Sequence, residues 1–251
     1  MSEAVLCVTD LTVYYGDELA LDSVGFSLTG GKLIGVVGPN GAGKSTMIKA
    51  IVGSILPNRG KVEVFGSTAK RALRRITYVP QRGSVDWDFP VTVRDVVAQG
   101  RYAHLGLFRR FTTVDRDLVE RSLELVGLVQ LAERQIGELS GGQQQRVFLA
   151  RALAQQGDIY LMDEPFAGVD AATESAIVEV LRSLRDEGKT VLVVHHDLST
   201  LREYFEELVL INRKLIAHGP TDKVFTPDLL QRTYGGKLAV FSNKDTTLVS
   251  A

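Results

Sequence analysis

The sequence predicts an α/β protein in which short strands, buried on both faces, alternate with helices. Apolar runs recur at Leu33 to Val37, Ile159 to Met162 and Val191 to Val194, and each is followed by a loop and a helical segment. Runs of this kind are typical of parallel strands that lie between layers of helices. An alternating stretch near the amino terminus adds an antiparallel part, and a long stretch without such runs adds a helical insertion.

The amino-terminal part alternates apolar and polar residues, first from Val5 to Val13 and again from Ala20 to Leu28. Alternation with a period of two indicates strands that have one buried and one solvated face. Gly16 and Asp17 lie between the two stretches and favour a turn. We therefore expect an antiparallel pair of strands here.

The helical insertion is expected to run from about residue 82 to 156, before Ile159 resumes the buried strands. Thr112 or Thr113 can cap one of its helices, and Gly127 can end that helix. The face of this helix that is predicted to be buried carries Val119, Leu123 and Val126.

The composition is that of an ordinary globular protein, with 45% hydrophobic and 24% charged residues and a net charge of -1. A chain with almost no net charge has no long-range electrostatic field that would attract nucleic acid or anionic lipid. The single cysteine, Cys7, excludes an intramolecular disulfide, and no apolar run is long enough to cross a bilayer. We expect one domain over residues 1–236, which includes the insertion, and a polar tail over 237–251.

A phosphate-binding loop is predicted at Gly38 to Ser45, which match the pattern G-x-x-x-x-G-K-[ST] between an apolar run and a helical pattern. The glycines let backbone amides point inward, and the helix that follows presents its positive end to phosphate. The Lys44 ammonium can reach the β- and γ-phosphates, and the Ser45 hydroxyl can bind magnesium. The alternative is a glycine-rich turn that only joins a strand to a helix. The predicted nucleotide-binding residues of the loop are Gly38, Pro39, Asn40, Gly41, Ala42, Gly43, Lys44, Ser45 and Thr46.

Two carboxylates follow another of the apolar runs. Asp163 and Glu164 come directly after Ile159 to Met162, at the carboxyl end of a predicted strand. Neighbouring residues of a strand point to opposite faces, so the two carboxylates can have different roles. Asp163 is expected to hold magnesium, and Glu164 to polarise a water for attack on the γ-phosphate. Taken alone, such a pair is more often a solvated strand end or a helix cap.

A second glycine motif, LSGGQ, starts another predicted helix, with Ser140 as its N-cap. Its alternative is a capped helix after a flexible turn. LSGGQ, continued by QQR at Gln144 to Arg146, resembles the signature of ABC ATPases, and the resemblance covers nearly the whole chain. It implies a phosphate-loop NTPase core with an antiparallel β subdomain and an inserted α-helical subdomain, and it implies ATP and Mg²⁺ as ligands. In that family the signature residues complete the nucleotide site of a second subunit in a head-to-tail homodimer; here they are Ser140, Gly141, Gly142 and Gln143.

The resemblance assigns roles to further residues. Tyr15 resembles the aromatic residue that stacks on adenine, although ordinary strand packing also accounts for it. Gln81 resembles the glutamine that reaches magnesium and the attacking water and senses the membrane subunit. Asp170 resembles the aspartate of a loop that crosses the dimer interface, although Ala167 to Val169 depart from the usual pattern before it. The metal-binding set implied for Mg²⁺ is Ser45, Gln81 and Asp163.

Two adjacent histidines follow the run Val191 to Val194. His196 resembles the switch histidine that contacts the γ-phosphate, and its spacing to Asp197 selects it over His195. Adjacent residues of an extended segment face opposite ways, so only one of the two can point at the nucleotide. A metal site built on the pair is not expected, because the sequence offers no further ligands at suitable spacing.

The segment Arg82 to Pro90 looks like the corresponding loop in ATPases of manganese, zinc and iron uptake systems. Its aromatic residues, Trp87 and Phe89, could instead only pack against the helical insertion. We therefore expect the ATPase of a bacterial importer of divalent transition metal, which works at the cytoplasmic face of the membrane. Its expected partners are a second ATPase subunit, permease subunits and, indirectly, an extracytoplasmic metal-binding protein. The alternatives are the ATPase of an ABC exporter and a soluble ABC ATPase without a permease.

Overall fold

The computed structural model describes residues 4–81, 83, 86–87, 89–105 and 110–235. Its strands are β1 (Ala4–Tyr15), β2 (Glu18–Thr29), β3 (Leu33–Val37), β4 (Arg59–Val64), β5 (Ser67–Thr68), β6 (Ile76–Val79), β7 (Ile159–Asp163), β8 (Thr190–Val194), β9 (Glu207–Asn212) and β10 (Lys214–Pro220). Its α-helices are α1 (Lys44–Val52), α2 (Val93–Gln99), α3 (Tyr102–Leu105), α4 (Thr113–Leu125), α5 (Gly141–Gln155), α6 (Ala171–Asp186), α7 (Leu201–Tyr204), α8 (Thr221–Val224) and α9 (Pro227–Tyr234). Within the described ranges, no helix is long and apolar enough to span a membrane.

The chain divides into two compact units. Among the described residues the first comprises 4–72 and 190–235, and the second is Leu73–Lys189. The predicted helical insertion belongs to the second unit, together with strands β6 and β7. The extent of a single domain over residues 1–236 remains a prediction, and the tail over 237–251 lies outside the described residues.

The amino-terminal hairpin of the first unit is the predicted antiparallel pair. Strands β1 and β2 pair antiparallel, with Tyr15 opposite Glu18 at the turn that contains Gly16 and Asp17. The sequence did not predict that β4 pairs with the other edge of β1, or that β5 continues this sheet after β4. The alternating burial of β2 fits a sheet with one face in the core.

The parallel part of the first unit positions the phosphate-loop motif. Strand β3 is buried along its length and pairs parallel with both β8 and β9. Strand β10 adds an antiparallel neighbour to β9, which the sequence did not predict. Gly35 of β3 packs closely, since a Cβ there would lie 2.9 Å from Leu208 and 3.0 Å from Phe205. The carboxyl end of β3 leads into the loop before α1.

The second unit combines the parallel pair β6 and β7 with helices α2 to α6. Thr112, rather than Thr113, caps α4: its hydroxyl accepts a hydrogen bond from the Asp115 amide, and the Asp115 carboxylate accepts one from the Thr112 amide. Gly127 follows the last residues of α4 with a φ of 66°, in agreement with its predicted role at the helix end. The predicted apolar face is buried at Val119, Leu123 and Val126.

Candidate nucleotide-binding site

The phosphate-loop motif lies in the first unit, between the end of β3 and the start of α1. Backbone packing explains two of its glycines. A Cβ at Gly38 would lie 2.0 Å from the carbonyl oxygen of Ile211, and one at Gly43, whose φ is +88°, would lie 2.6 Å from the carbonyl oxygen of Ala20. Arg213 anchors the loop from outside, because its amide donates to the carbonyl of Ala42 over 2.9 Å. The loop is therefore held in a fixed curve by the strands around it.

Lys44, the first residue of α1, is buried, yet its ammonium points back into the loop. Its Nζ donates to the carbonyl oxygens of Gly38 at 2.7 Å and Pro39 at 2.9 Å. An ammonium has three donors, so a phosphate oxygen brought into the loop can replace or join these carbonyl contacts. Among the described residues of the first turn of α1 none is acidic, so the positive end of the helix adds to the charge of Lys44. Ser45 and Thr46 lie partly exposed on the same turn.

Tyr15 lies beside this helix start. Its hydroxyl oxygen is 3.5 Å from the hydroxyl oxygen of Thr46, and the residue is 50% exposed. The amide of the preceding Tyr14 donates to Asn58 Oδ1 over 2.8 Å, which ties the end of β1 to the loop before β4. The half-exposed ring next to the phosphate loop is available for stacking on a planar base. Sequence reasoning missed Asn58, because nothing in its local pattern links it to a residue 44 positions earlier.

The two histidines that follow β8 lie in different environments. Val194 of β8 is opposite Val36 of β3, and the His195 amide extends this pairing by donating to the Val36 carbonyl over 3.1 Å. His195 is 4% exposed, and its burial lowers the pKa of its imidazole to about 4. His196 is exposed. The carboxyl ends of parallel neighbours meet at one edge of a sheet, so His196 and Gly38 both follow that edge of the first unit.

The second unit brings Gln81 and Glu164 together. Strands β6 and β7 run parallel with Val79 opposite Met162, so the residues that follow them lie at the same edge. Gln81 donates from Nε2 to Oε2 of Glu164 over 2.8 Å. This hydrogen bond fixes the position of the Glu164 carboxylate relative to the Gln81 side chain.

The two neighbouring carboxylates lie in different surroundings, but strand alternation is not the cause, because β7 ends at Asp163. Asp163 is 1% exposed, whereas Glu164 is partly exposed and has a left-handed φ of 55°. Burial, and then the negative charge of Asp163, raise the pKa of the nearby Tyr78 to about 12. The positive φ at Glu164 turns its side chain away from the direction that a continuing strand would give it.

The LSGGQ motif forms a capping box at the start of α5. Gln143 Oε1 accepts from the Ser140 amide at 2.9 Å, and the Gln143 amide donates to Ser140 Oγ at 3.4 Å. A Cβ at Gly142 would lie 3.4 Å from the side chain of Thr173, so the motif packs against the start of α6. Asp170 caps α6 by accepting from the Thr173 amide at 2.8 Å, and this hydrogen bond lowers the pKa of its carboxyl. The signature motif and Asp170 are thus neighbours in the second unit.

Comparison with known proteins agrees with these motifs. The profile of the family described as ABC transporter matches residues 21–167, more than half of the chain. The chain belongs to the ABC transporter family. As an ABC transporter ATPase it binds ATP, and its fold is the mixed α/β fold of ABC ATPases, with an antiparallel β part and helical parts.

Relatives of this ABC ATPase match it over almost its whole length. The manganese transport system ATP-binding protein MntB of Halalkalibacterium halodurans is 49% identical over 98% of this chain and 98% of that protein. The zinc transport system ATP-binding protein TroB of Treponema pallidum is 50% identical over 92% of this chain and 87% of that protein. A solved chain of a metal-chelate type ABC transporter in an inward-facing conformation superposes with a TM-score of 0.81 at 29% identity, over 92% of this chain and 89% of that chain.

The segment after Gln81 is less uniform than its sequence suggests. Trp87 of this ABC ATPase packs edge-on against Phe148 of α5, with ring centroids 5.2 Å apart, which is the packing role left open for it. Phe89 differs, since it is 59% exposed. Arg82, Ser84, Val85 and Asp88 lie outside the described residues. Of the two aromatic residues, Phe89 therefore leaves the larger apolar surface exposed.

Proposed function

We propose that this ABC ATPase powers a bacterial importer of divalent transition metal, with manganese, zinc or iron as cargo. The observation that carries the proposal is near-full-length identity of about one half to ATP-binding proteins of manganese and zinc transport systems. The relative from a manganese system and the relative from a zinc system are almost equally identical to this chain, so sequence identity does not choose between these two metals. Selection of the metal then belongs to the permease and its extracytoplasmic binding protein rather than to this subunit.

The nucleotide chemistry is proposed to rest on the residues described above. The phosphate loop, Gly38 to Thr46, would hold the phosphates of ATP, and Tyr15 would stack on adenine. The chemistry of the donors fits Mg²⁺, which prefers hard oxygen ligands: the hydroxyl of Ser45, the carboxylate of Asp163 and the amide oxygen of Gln81. When bound, this cation would neutralise charge that develops on the phosphates.

Hydrolysis is proposed to use two residues of this chain. Glu164 would take a proton from the attacking water as general base, and its hydrogen bond from Gln81 orients the carboxylate. His196 would contact the γ-phosphate from the end of β8.

The active enzyme is proposed to be a head-to-tail homodimer at the cytoplasmic face of the membrane, attached through permease subunits. Ser140 to Gln143 would then complete the ATP site of the partner subunit, with Asp170 at the interface. Two observations support this arrangement. Ser140 is exposed at the start of a 15-residue helix, and the Asp170 carboxylate is exposed beside it. A helix start of this kind attracts an anion. The phosphate loop already provides a helix start for the chain's own nucleotide, so the start of α5 would be available to the nucleotide of the partner subunit.

Deletion of the gene tests the cargo. Uptake of radioactive manganese, zinc and iron is measured separately in cells grown under limitation of each metal, and uptake of at least one should fall to the background level. The wild-type gene and the control variant Glu124→Gln, changed on the exposed face of α4, should restore it. Glu164→Gln should not. Unchanged uptake of all three metals in the deletion strain would exclude the proposed import function.

A further inference from the structure

His195 has a polar side chain buried in the first unit, beside the residue proposed to contact the γ-phosphate. Its imidazole lies 5.5 Å from the ring of Phe205 and 6.0 Å from that of Tyr204, measured between centroids. Phe205 in turn packs under Gly35 of β3. An apolar side chain of similar size would fill this space, so packing alone does not explain an imidazole here.

The polar atoms of His195 act on the turn that follows it. Nε2 lies 2.7 Å from Oγ1 of Thr200, and that hydroxyl donates to the Asp197 carbonyl over 3.3 Å. The contact is short, and either atom can donate in it, according to which ring nitrogen carries the proton. The ring thereby joins the end of β8 to the far side of the turn over 197–200.

Hydrogen bonds within the turn over 197–200 also stabilise it. Oδ1 of Asp197 accepts from the Ser199 amide at 2.8 Å and from the Ser199 hydroxyl at 2.6 Å. His196 lies between the buried ring of His195 and this braced turn, with its own side chain exposed. The backbone of His196 is therefore held on one side by the pairing of His195 with Val36 and on the other by the contact between His195 and Thr200.

We propose that His195 is a positioning residue, which holds the turn over 197–200 through Thr200 and so fixes where His196 meets the terminal phosphate of ATP. The inference rests on the proposed function, because it takes the role of His196 from it. Its physical basis is the steep dependence of catalysis on geometry: an error of about 1 Å can cost on the order of a hundredfold in rate. Burial keeps the imidazole neutral at neutral pH, since it lowers the pKa to about 4, so the Nε2 contact is that of a neutral ring.

Three variants separate the hydrogen bond from the packing. His195→Leu fills the pocket without a polar atom, and Thr200→Val removes the partner hydroxyl while keeping its shape. His195→Gln brings an amide, which can donate or accept, close to the position of Nε2. Steady-state hydrolysis of Mg-ATP is measured with the purified full-length chain, alongside ATP affinity and melting temperature. His195→Leu and Thr200→Val should lower kcat about tenfold while KM and ATP affinity stay within about twofold, and His195→Gln should recover most of kcat.

The pattern of kcat decides the outcome. Wild-type kcat in both His195→Leu and Thr200→Val, or equal kcat in the Leu and Gln variants, would overturn the inference. If His195→Leu does not fold, Thr200→Val alone gives the test, since it leaves the buried ring in place. His196→Ala is the control for the proposed function. A wild-type rate of hydrolysis in this variant would exclude the role proposed for His196 itself. If His196→Ala is inactive but the His195 variants hydrolyse ATP at the wild-type rate, only the positioning role of His195 is excluded.

Discussion

At the scale of single residues, Glu164 combines a strained backbone with a defined partner. A non-glycine residue with a φ of 55° costs roughly 1 kcal/mol, and such strain is found where a site needs a particular side-chain direction. The direction it gives here brings Oε2 of Glu164 to the Gln81 amide, while Asp163 remains buried at the end of β7. The carboxylates of the adjacent residues Asp163 and Glu164 thus lie in different surroundings, the first buried and the second partly exposed.

This geometry leads to a prediction for Glu164→Gln. The variant keeps the size of the side chain but removes the proton acceptor, so it should abolish steady-state ATP hydrolysis while ATP binding remains within about twofold of wild type. Hydrolysis is followed by phosphate release and binding by titration with a fluorescent ATP analogue. Glu124→Gln, the same change on the exposed face of α4, should hydrolyse at the wild-type rate. Full activity of Glu164→Gln would exclude its role as base.

Residues with a fixed spacing to a motif were predictable, and residues that depend on tertiary contacts were not. The loop glycines were predictable from the fixed spacing of the motif, although the backbone that leaves no room for a Cβ at Gly38 is that of the distant Ile211. The selection of His196 over His195 agrees with their opposite burial. The contact of His195 with Thr200 was not predictable, because it depends on how the chain folds back after β8.

At the scale of elements, the start of α4 has hydrogen bonds to other parts of the insertion in addition to its own cap. Besides its capping box, the Asp115 carboxylate accepts from Nε of the buried Arg101 at 2.9 Å, and Arg101 donates from Nη1 to the Ala154 carbonyl at 2.7 Å. One carboxylate therefore joins α4 to the segment before α3, and Arg101 continues the link to the end of α5.

We predict that Asp115→Asn destabilises the protein by about 2 kcal/mol at neutral pH, because it weakens the helix cap and leaves a buried guanidinium without its counter-charge. Hydrogen bonds from Thr112, and then the Arg101 guanidinium, lower the pKa of Asp115 to about 2, below its ordinary 3.8. A lowered folded-state pKa gives stability that is complete above the ordinary value and lost as the pH falls toward the folded one. The difference between wild type and variant should therefore shrink below about pH 4.

Urea unfolding of both proteins across this pH range provides the measurement. Asp117→Asn, an exposed position on the same helix, is the matched control and should change the free energy of unfolding by less than about 0.5 kcal/mol. A difference between wild type and Asp115→Asn that stays constant down to about pH 3 would contradict the role of the ionised carboxylate.

Elements were predictable where the pattern was local. The hairpin β1 and β2, the buried strands β3, β7 and β8, and the helical insertion all follow from periodicity and burial. Strands β4, β5, β9 and β10 were missed for a physical reason: which strands pair, and in which direction, is decided by distant partners rather than by the segment itself. The parallel pairing of β9 with β3 joins residues more than 170 positions apart.

At the scale of the whole molecule, one chain carries two helix starts suited to anions, α1 after the phosphate loop and α5 after Ser140. The first has a buried lysine whose ammonium points into its loop, which fits the proposal that this loop holds the phosphates of ATP. The second has no charge of its own in the first turn among the described residues, and its cap uses only Ser140 and Gln143. A site that lacks a cation binds phosphate weakly by itself, so it is better suited to complete a nucleotide already held elsewhere.

The oligomeric state tests whether the two helix starts serve the nucleotides of different subunits. In the Glu164→Gln background, where ATP is bound but not hydrolysed, the full-length chain should form a dimer on addition of Mg-ATP, measured by light scattering on a sizing column. Ser140→Arg added to that background should leave it monomeric, because a bulky side chain at the start of α5 blocks approach of the partner's phosphates, while ATP binding is retained. Ser183→Arg, an exposed position on α6, is the matched control and should dimerise normally. Loss of ATP binding in the Ser140→Arg chain would mean that this motif serves its own nucleotide, and a persistent dimer would mean that the motif lies outside the interface.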